Sequence, residues 1–287
     1  MKSTPIPRLL TVSAILFLLA GLLGTGQVPP EKPAAALEAG KNLIATPVYP
    51  EAEDQKILAL FKGIRVSDVV DGMDAAGLQD IGTMDPEIHP LWRDTQNLGH
   101  RFVGVAVTAR YVPTQQPRAG KMTTAAYDEW AGNWYEQRST ELYADLIRKG
   151  TALVVEDAAA ADVGSIGSFN ILEWKMRGCV GVVTSGTARD ADEITMERVP
   201  LYFKKPGRGI RPGRNELESV NRPIVCGGVL VVPGDIIVAD GDGVVVVPRS
   251  RAEAVAKYAR KIMEEDQGGR RDLYKKAGLK EDVSLKK

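Results

Sequence analysis

Histidine and cysteine are almost absent from this chain, with two of each in 287 residues. His89 and His100 show no ligand spacing with the cysteines, which excludes a His/Cys zinc centre. Cys179 leads an apolar run and Cys226 leads a Gly-Gly pair, a setting for small buried thiols. Export would permit a disulfide between them. An excess of either charge is missing too, with 37 basic and 37 acidic residues. No basic field therefore marks nucleic acid as a partner. There is no Gly-rich loop ending in Gly-Lys-Ser/Thr and no Gly-x-Ser-x-Gly elbow, which removes the P-loop and nucleophile-elbow classes. Gly164-x-x-Gly167 is too short for a dinucleotide fingerprint. Asp240-Gly241-Asp242-Gly243 lacks the further acids of a calcium loop and reads as a hairpin turn. At 44% hydrophobic and 26% charged residues, the chain is not disordered, fibrous or a polytopic membrane protein.

What is present begins with a leader. A basic start carrying Lys2 and Arg8 precedes the uncharged apolar run Leu9–Leu23, which falls short of the roughly 20 residues of a spanning helix. Small residues and Pro29-Pro30 follow. Residues 1–27 read as a secretory signal peptide, which places the protein outside the cytoplasm, periplasmic or secreted. No cysteine follows the run to carry a lipid. The small-residue site is not a clean Ala-x-Ala, so an uncleaved membrane anchor is the alternative. Cleavage would leave the mature chain mildly acidic. Residues 28–55, rich in Pro, Ala, Glu and Lys, have linker composition with room for one short helix. The full length allows one large or two modest domains, and the pattern of elements places one mixed α/β domain with a C-terminal helix over residues 56–287.

Within that part, SDVVDGMDAAGL reads as a helix capped by Ser67 or Asp68 and ended by Gly77. Arg101–Val112 is a strand, partly alternating and partly apolar throughout. Residues 121–149 hold a helix with Trp130 and Trp134 on one face, an aromatic packing pair. Ala152–Glu156, a helix around Phe169–Arg177, and Val180–Thr184 make a β-α-β unit with parallel strands. Val229–Val232, Ile236–Ala239 and Val244–Val247 are short strands separated by Pro-Gly-Asp and Asp-Gly turns. Residues 250–278 read as a charged helix interrupted near Gly268-Gly269. The fold class is therefore α/β, with a mixed sheet.

The densest polar constellation, Thr184 to Glu193, follows directly on the strand ending in Val183. Residues past the carboxyl end of a parallel strand face the crevice where α/β proteins bind ligands. Gly186 permits close backbone approach. Arg189 offers a fork for a carboxylate, and Asp190 offers hard oxygen for Mg²⁺ or Mn²⁺. Together they would bracket a 2-oxo acid. In the alternative reading Asp190 or Asp192 caps the next helix and Arg189 pairs with a neighbouring acid. A second candidate, Gly164 to Asn170, places helix-start N–H groups at the same end of the sheet. Its plain reading is a turn with Ser168 as N-cap.

These segments carry a resemblance. GCVGVVTSGTARDADEI, then CGGVLVVPGDIIVADGDGVVVVP, with SDVVDGMDAAGL, IHPLW and GVAVTARYV ahead of them, resemble the RraA-like family. That family holds the regulator of RNase E activity A and class II 4-hydroxy-4-methyl-2-oxoglutarate aldolases that also decarboxylate oxaloacetate. The likeness spans about residues 57–280. It implies a swivelling β/β/α fold, a homotrimer or a hexamer of trimers, and sites at the subunit interface. It implies a divalent metal on Asp190, the substrate carboxylate and carbonyl on Arg189, and the pyruvyl carboxylate on N–H groups between Gly167 and Asn170, chiefly Phe169 and Asn170. Glu264 and Glu265 are the candidates for a neighbouring subunit's acid in the metal's water shell. One position departs from the pattern: Ser168 stands where the aldolases carry an acid, and Glu156 and Asp157 are the acids nearest in sequence that would compensate. The expected activity is a metal-dependent C–C lyase that releases pyruvate. The alternatives are a non-catalytic RraA-like regulator, against which the Arg189-Asp190 pair and the leader both count, and a lyase or hydratase on another exported small acid.

Overall fold

The computed structural model describes Ile44, residues 46–158 and residues 162–285. The signal-peptide reading of 1–27 and most of the 28–55 linker lie outside the described residues. From Thr46 onward the chain forms one packed unit. No helix among the described residues is long and apolar enough to cross a membrane.

Helix α1 (Glu51–Leu60) starts inside the stretch assigned to the linker. A long-range contact holds the helix: Asp54 is buried and paired with Arg148 at 2.5 Å and Arg249 at 2.6 Å. Helix α2 (Val66–Ala75) is capped by neither Ser67 nor Asp68. Arg65 takes the N-cap position, and Asp68 accepts its N–H at 3.1 Å and its guanidinium at 2.6 Å. The Val66 N–H goes to Asp240 at 2.9 Å.

Strands β1 (His89–Pro90), β2 (Phe102–Pro113), β3 (Thr151–Asp157), β5 (Cys179–Thr184), β7 (Leu201–Phe203), β12 (Ile236–Asp240) and β13 (Gly243–Val247) make one mixed sheet. Its order is β1-β7-β5-β3-β2-β12-β13, and β9 (Asn215–Val220) adds to β2. The pairs β2-β3, β3-β5 and β5-β7 are parallel. The sheet is nearly closed. Helix α3 (Thr124–Gln137) joins β2 to β3. Helix α4 (Ser168–Met176) crosses between β3 and β5, the expected β-α-β unit. A small parallel sheet, β4 (Gly164–Ile166), β6 (Thr187–Ala188) and β8 (Lys205–Pro206), lies beyond the strand ends. Helix α5 (Ala191–Met196) follows β6.

Strand alternation divides the core. Ala152 and Val154 face a cluster with Phe102, Tyr202, Ile237, Val246 and the hairpin β10 (Ile224–Cys226) and β11 (Val229–Val231). Leu153 and Val155 face Ile171 and Trp174 of α4. Ile236 and Val245 face α2 and helix α6 (Ala252–Ala277). Gly181 lies against the Phe102 ring: a β-carbon there would come within 2.2 Å of it. Cys179 and Cys226 are free and buried, and burial pushes their thiols up to about 11 and about 12.

Helix α6 is not interrupted at Gly268-Gly269. Val255, Ala256, Ala259 and Met263 anchor its first half in the core. Arg270 and Arg271 tie its second half to Ser284 and to the Leu285 carbonyl at 2.9 and 2.5 Å. Tertiary contacts on both sides outweigh the cost of about 1 kcal/mol per glycine. Trp130 and Trp134 do share a face, with ring centroids 5.7 Å apart, and Trp134 donates its indole N–H to Asn215.

Gly181→Ala is expected to cost about 1–3 kcal/mol through overpacking against Phe102, read by chemical denaturation. His100 supplies a pH test. Its Nδ1 accepts the Asp94 N–H at 3.0 Å, and burial, aided by the Arg101 charge, lowers its pKa from the ordinary 6.5. The unfolded chain therefore takes up the proton first. Stability is full above pH 6.5 and falls as pH drops through that region. Unfolding free energies at about pH 7.5 and 5.5 should show a steeper loss for the parent than for His100→Gln.

Candidate active site

The site forms where β5 ends. Ser185 donates its N–H to Val155 of the neighbouring strand at 3.2 Å, and Gly186 donates to Thr184 Oγ1 at 3.0 Å. A side chain at 186 would meet the Asp157 β-carbon at 2.7 Å, so the turn needs glycine. The Arg189 N–H then bonds the Ile166 carbonyl at 2.8 Å, which brings the Arg189-Asp190 pair onto the turn leading into α4.

Asp190 sits at the N-cap position of α5 with φ 59°, in the left-handed region, yet its side chain makes no cap bond there. Its carboxylate reaches α4 instead. Oδ2 accepts the Ser168 N–H at 3.1 Å, lies 3.5 Å from Ser168 Oγ and stands 3.6 Å from Arg189 Nε. Asp190 therefore satisfies the start of a different helix from the one it precedes, and neither Asp190 nor Ser168 acts as a plain N-cap. The N-cap of α4 is Gly167. A β-carbon at 167 would come within 2.7 Å of Asp190 Oδ2 and 3.4 Å of Arg189 Nε. The Arg189 and Asp190 side chains remain 38% and 36% exposed, so a ligand can reach both.

The structure brings Gly167, Ser168, Arg189 and Asp190 together, with Gly186 at the end of the same strand. Phe169 is 79% exposed, with its ring open to solvent within this chain. Asn170 turns its amide away to Glu141 at 2.7 Å. The first-turn N–H groups of α4 have no carbonyl partner within the helix. Glu264 and Glu265 are exposed on α6, which packs on α1 and α2. Glu156 is committed to Arg110 at 3.1 Å and to the Val225 N–H. Asp157 is buried and accepts from Ser165 Oγ and, at 3.2 Å, from Asn215. No group of three His, Cys, Asp or Glu that would cage a metal occurs among the described residues. Asp190 Oδ1 carries no hydrogen bond among the described residues.

Sequence reasoning missed Glu141 and Arg211. Arg211 is buried and paired with Glu141, and its guanidinium reaches the Tyr111 hydroxyl at 2.5 Å. Burial pushes that phenol up to about 12. No local pattern marks either residue, because they lie 70 positions apart.

A mixed α/β sheet carrying a guanidinium and a carboxylate at the carboxyl end of a parallel strand defines an α/β protein with polar groups at the edge where this class binds its ligands. The chain belongs to the RraA-like family, described as Aldolase/RraA, whose profile matches residues 66–246. Protein DlpA of Legionella pneumophila is 27% identical over 217 residues, 75% of this chain and 30% of DlpA. A 4-hydroxy-4-methyl-2-oxoglutarate aldolase of Thermus thermophilus is 32% identical over 84 residues, 29% of this chain and 49% of the aldolase. The match thus spans less than half of either relative. Streptomyces coelicolor RraAS2, described as an unusual member of the RNase ES inhibitor RraA protein family, shares the fold: TM-score 0.59 and 22% identity over 76% of this chain and 96% of that one.

Asp190 holds a left-handed conformation that costs a residue with a β-carbon about 1–2 kcal/mol. Asp190→Gly relieves that strain but loses the bond to the Ser168 N–H, so the two effects should offset and leave the thermal midpoint within about 4–8 °C of the parent, read by calorimetry.

Proposed function

We propose that the protein is a divalent-metal-dependent lyase that cleaves a C–C bond of a 2-oxo acid and releases pyruvate. The observation that supports this most is the adjacency of the Arg189 guanidinium and the Asp190 carboxylate at the start of α4. One accessible carboxylate without His or Cys suits Mg²⁺ or Mn²⁺, which keep several waters and take their remaining ligands from substrate. Asp190 would hold the ion. When bound, the ion supplies Lewis-acid charge at the 2-oxo oxygen.

This chain's residues do the rest. Arg189 clamps the substrate carboxylate with two parallel N–H donors. The free N–H groups of Phe169 and Asn170 take the other side of that carboxylate. With oxaloacetate, the bond to the 4-carboxylate breaks, carbon dioxide leaves, and the electron pair passes into the enolate of pyruvate, which water protonates. Aldol cleavage of 4-hydroxy-4-methyl-2-oxoglutarate also needs a base for the 4-hydroxyl proton. Ser168 offers a hydroxyl where the aldolases carry an acid, and Glu156 and Asp157 are engaged elsewhere. Decarboxylation should therefore survive better than aldol cleavage. In the same reading the protein is exported and forms a homotrimer or hexamer, with Glu264 or Glu265 of a neighbouring copy completing the water shell. The Arg189-Asp190 pair weighs against a purely regulatory RraA-like role.

A lactate-dehydrogenase-coupled assay tests this with each substrate, with Mg²⁺, Mn²⁺ or EDTA, against an enzyme-free blank. The expected result is excess pyruvate that vanishes with EDTA and falls about a hundredfold or more in Asp190→Ala, with oxaloacetate favoured. No excess from either substrate, or turnover indifferent to EDTA and to Asp190→Ala, would overturn the reading.

A further inference from the structure

The buried polar cluster beneath α4 takes no part in the proposed reaction, yet it grips the helix that carries the site. Glu141 follows α3 in the connection between β2 and β3. Its Oε1 accepts the Asn170 amide at 2.7 Å, and its Oε2 accepts the Trp174 indole N–H at 3.1 Å. Asn170 and Trp174 stand four positions apart, on one face of successive turns. Glu141 is in turn paired with Arg211, which is 4% exposed. Arg211 is anchored by the Tyr111 hydroxyl and, at 3.1 Å, by the Ser139 carbonyl. A single carboxylate thus fixes α4 against both sliding and rotation.

The helix has little slack to lose. Its first N–H, at Ser168, holds the Asp190 carboxylate, and Gly167 leaves only 2.7 Å between a would-be β-carbon and Asp190 Oδ2. We infer that Glu141 is a positioning residue, acting through Asn170 and Trp174 to hold α4 where its start orients Asp190 and Arg189. The inference rests on Asp190 being the cation-holding carboxylate of the proposed reading. It gives the connection between β2 and β3 a part in the site that no residue touching Asp190 reveals.

Glu141→Gln would leave the Arg211 charge without its partner and can unfold the chain. The test therefore cuts the two links and keeps the ion pair, in the double variant Asn170→Ala with Trp174→Phe. Phe61→Leu, a core truncation in the packing of α1, α2 and α6, serves as a stability control. Mn²⁺ affinity is read by electron paramagnetic resonance, which needs no turnover, beside kcat and KM for oxaloacetate and the thermal midpoint. Removing outer partners of a metal-holding group costs about 10–100-fold in affinity or activity. The double variant should weaken Mn²⁺ binding at least about tenfold and raise KM similarly. Phe61→Leu should lower the midpoint with Mn²⁺ affinity unchanged. Weakened Mn²⁺ binding in the double variant alone, with no pyruvate from the parent, would keep the positioning role and remove the lyase reading. Parent-like Mn²⁺ affinity and KM in the double variant would overturn the inference, whatever the parent turns over. So would an equal loss of affinity in Phe61→Leu, or a parent that binds no Mn²⁺.

Discussion

The Asp190 carboxylate rests on the first N–H of α4 rather than on the helix it precedes, and the rest of the site follows from that contact. Three features make it possible. The Arg189 N–H bonds Ile166 and docks the loop. Gly167 keeps a β-carbon out of the carboxylate's place. Asp190 adopts a left-handed backbone, so its side chain turns back across the crevice. Asp190 is one of five residues other than glycine with positive φ among the described residues, and the one whose carboxylate bonds the start of a neighbouring helix.

The layers behind the site explain its rigidity. Parallel strands β3 and β5 set their carboxyl ends side by side, and Val155 accepts the Ser185 N–H from the loop. Trp174 and Ile171 fasten α4 to that face of the sheet. The polar atoms left under the helix are satisfied by Glu141 and Arg211, a pair tolerable at that depth because each charge has a partner and several hydrogen bonds. A second polar group, Asp157 with Ser165 and Asn215, lies under the Gly186 turn. Polar networks of this kind specify one arrangement when satisfied and penalise any other.

The family spans proteins with more than one kind of role. Relatives carry the name of an aldolase, and one structural neighbour is described as an unusual member of an RNase inhibitor family. A shared fold does not carry a function, so the proposed chemistry is argued from the Arg-Asp pair. Ser168 sets its hydroxyl beside the Asp190 carboxylate at the start of α4.

Much of this was legible in the residues alone. Runs of Val and Ile broken by Pro-Gly-Asp and Asp-Gly mark the strands, because β-branched residues suit a pleated buried surface and those turns require special dihedrals. The Arg-Asp pair directly after an apolar strand marks the site, because parallel strands present their carboxyl ends to ligands. Only the tertiary structure decided the rest. Helix α6 runs through two glycines because distant contacts hold both halves. Helix α1 starts early because Asp54 meets Arg249, 195 positions away. Glu141 finds Asn170 across 29 positions. Local periodicity records which face of an element is apolar, whereas pairings across such separations arise only when the chain has folded and buried charges must be matched.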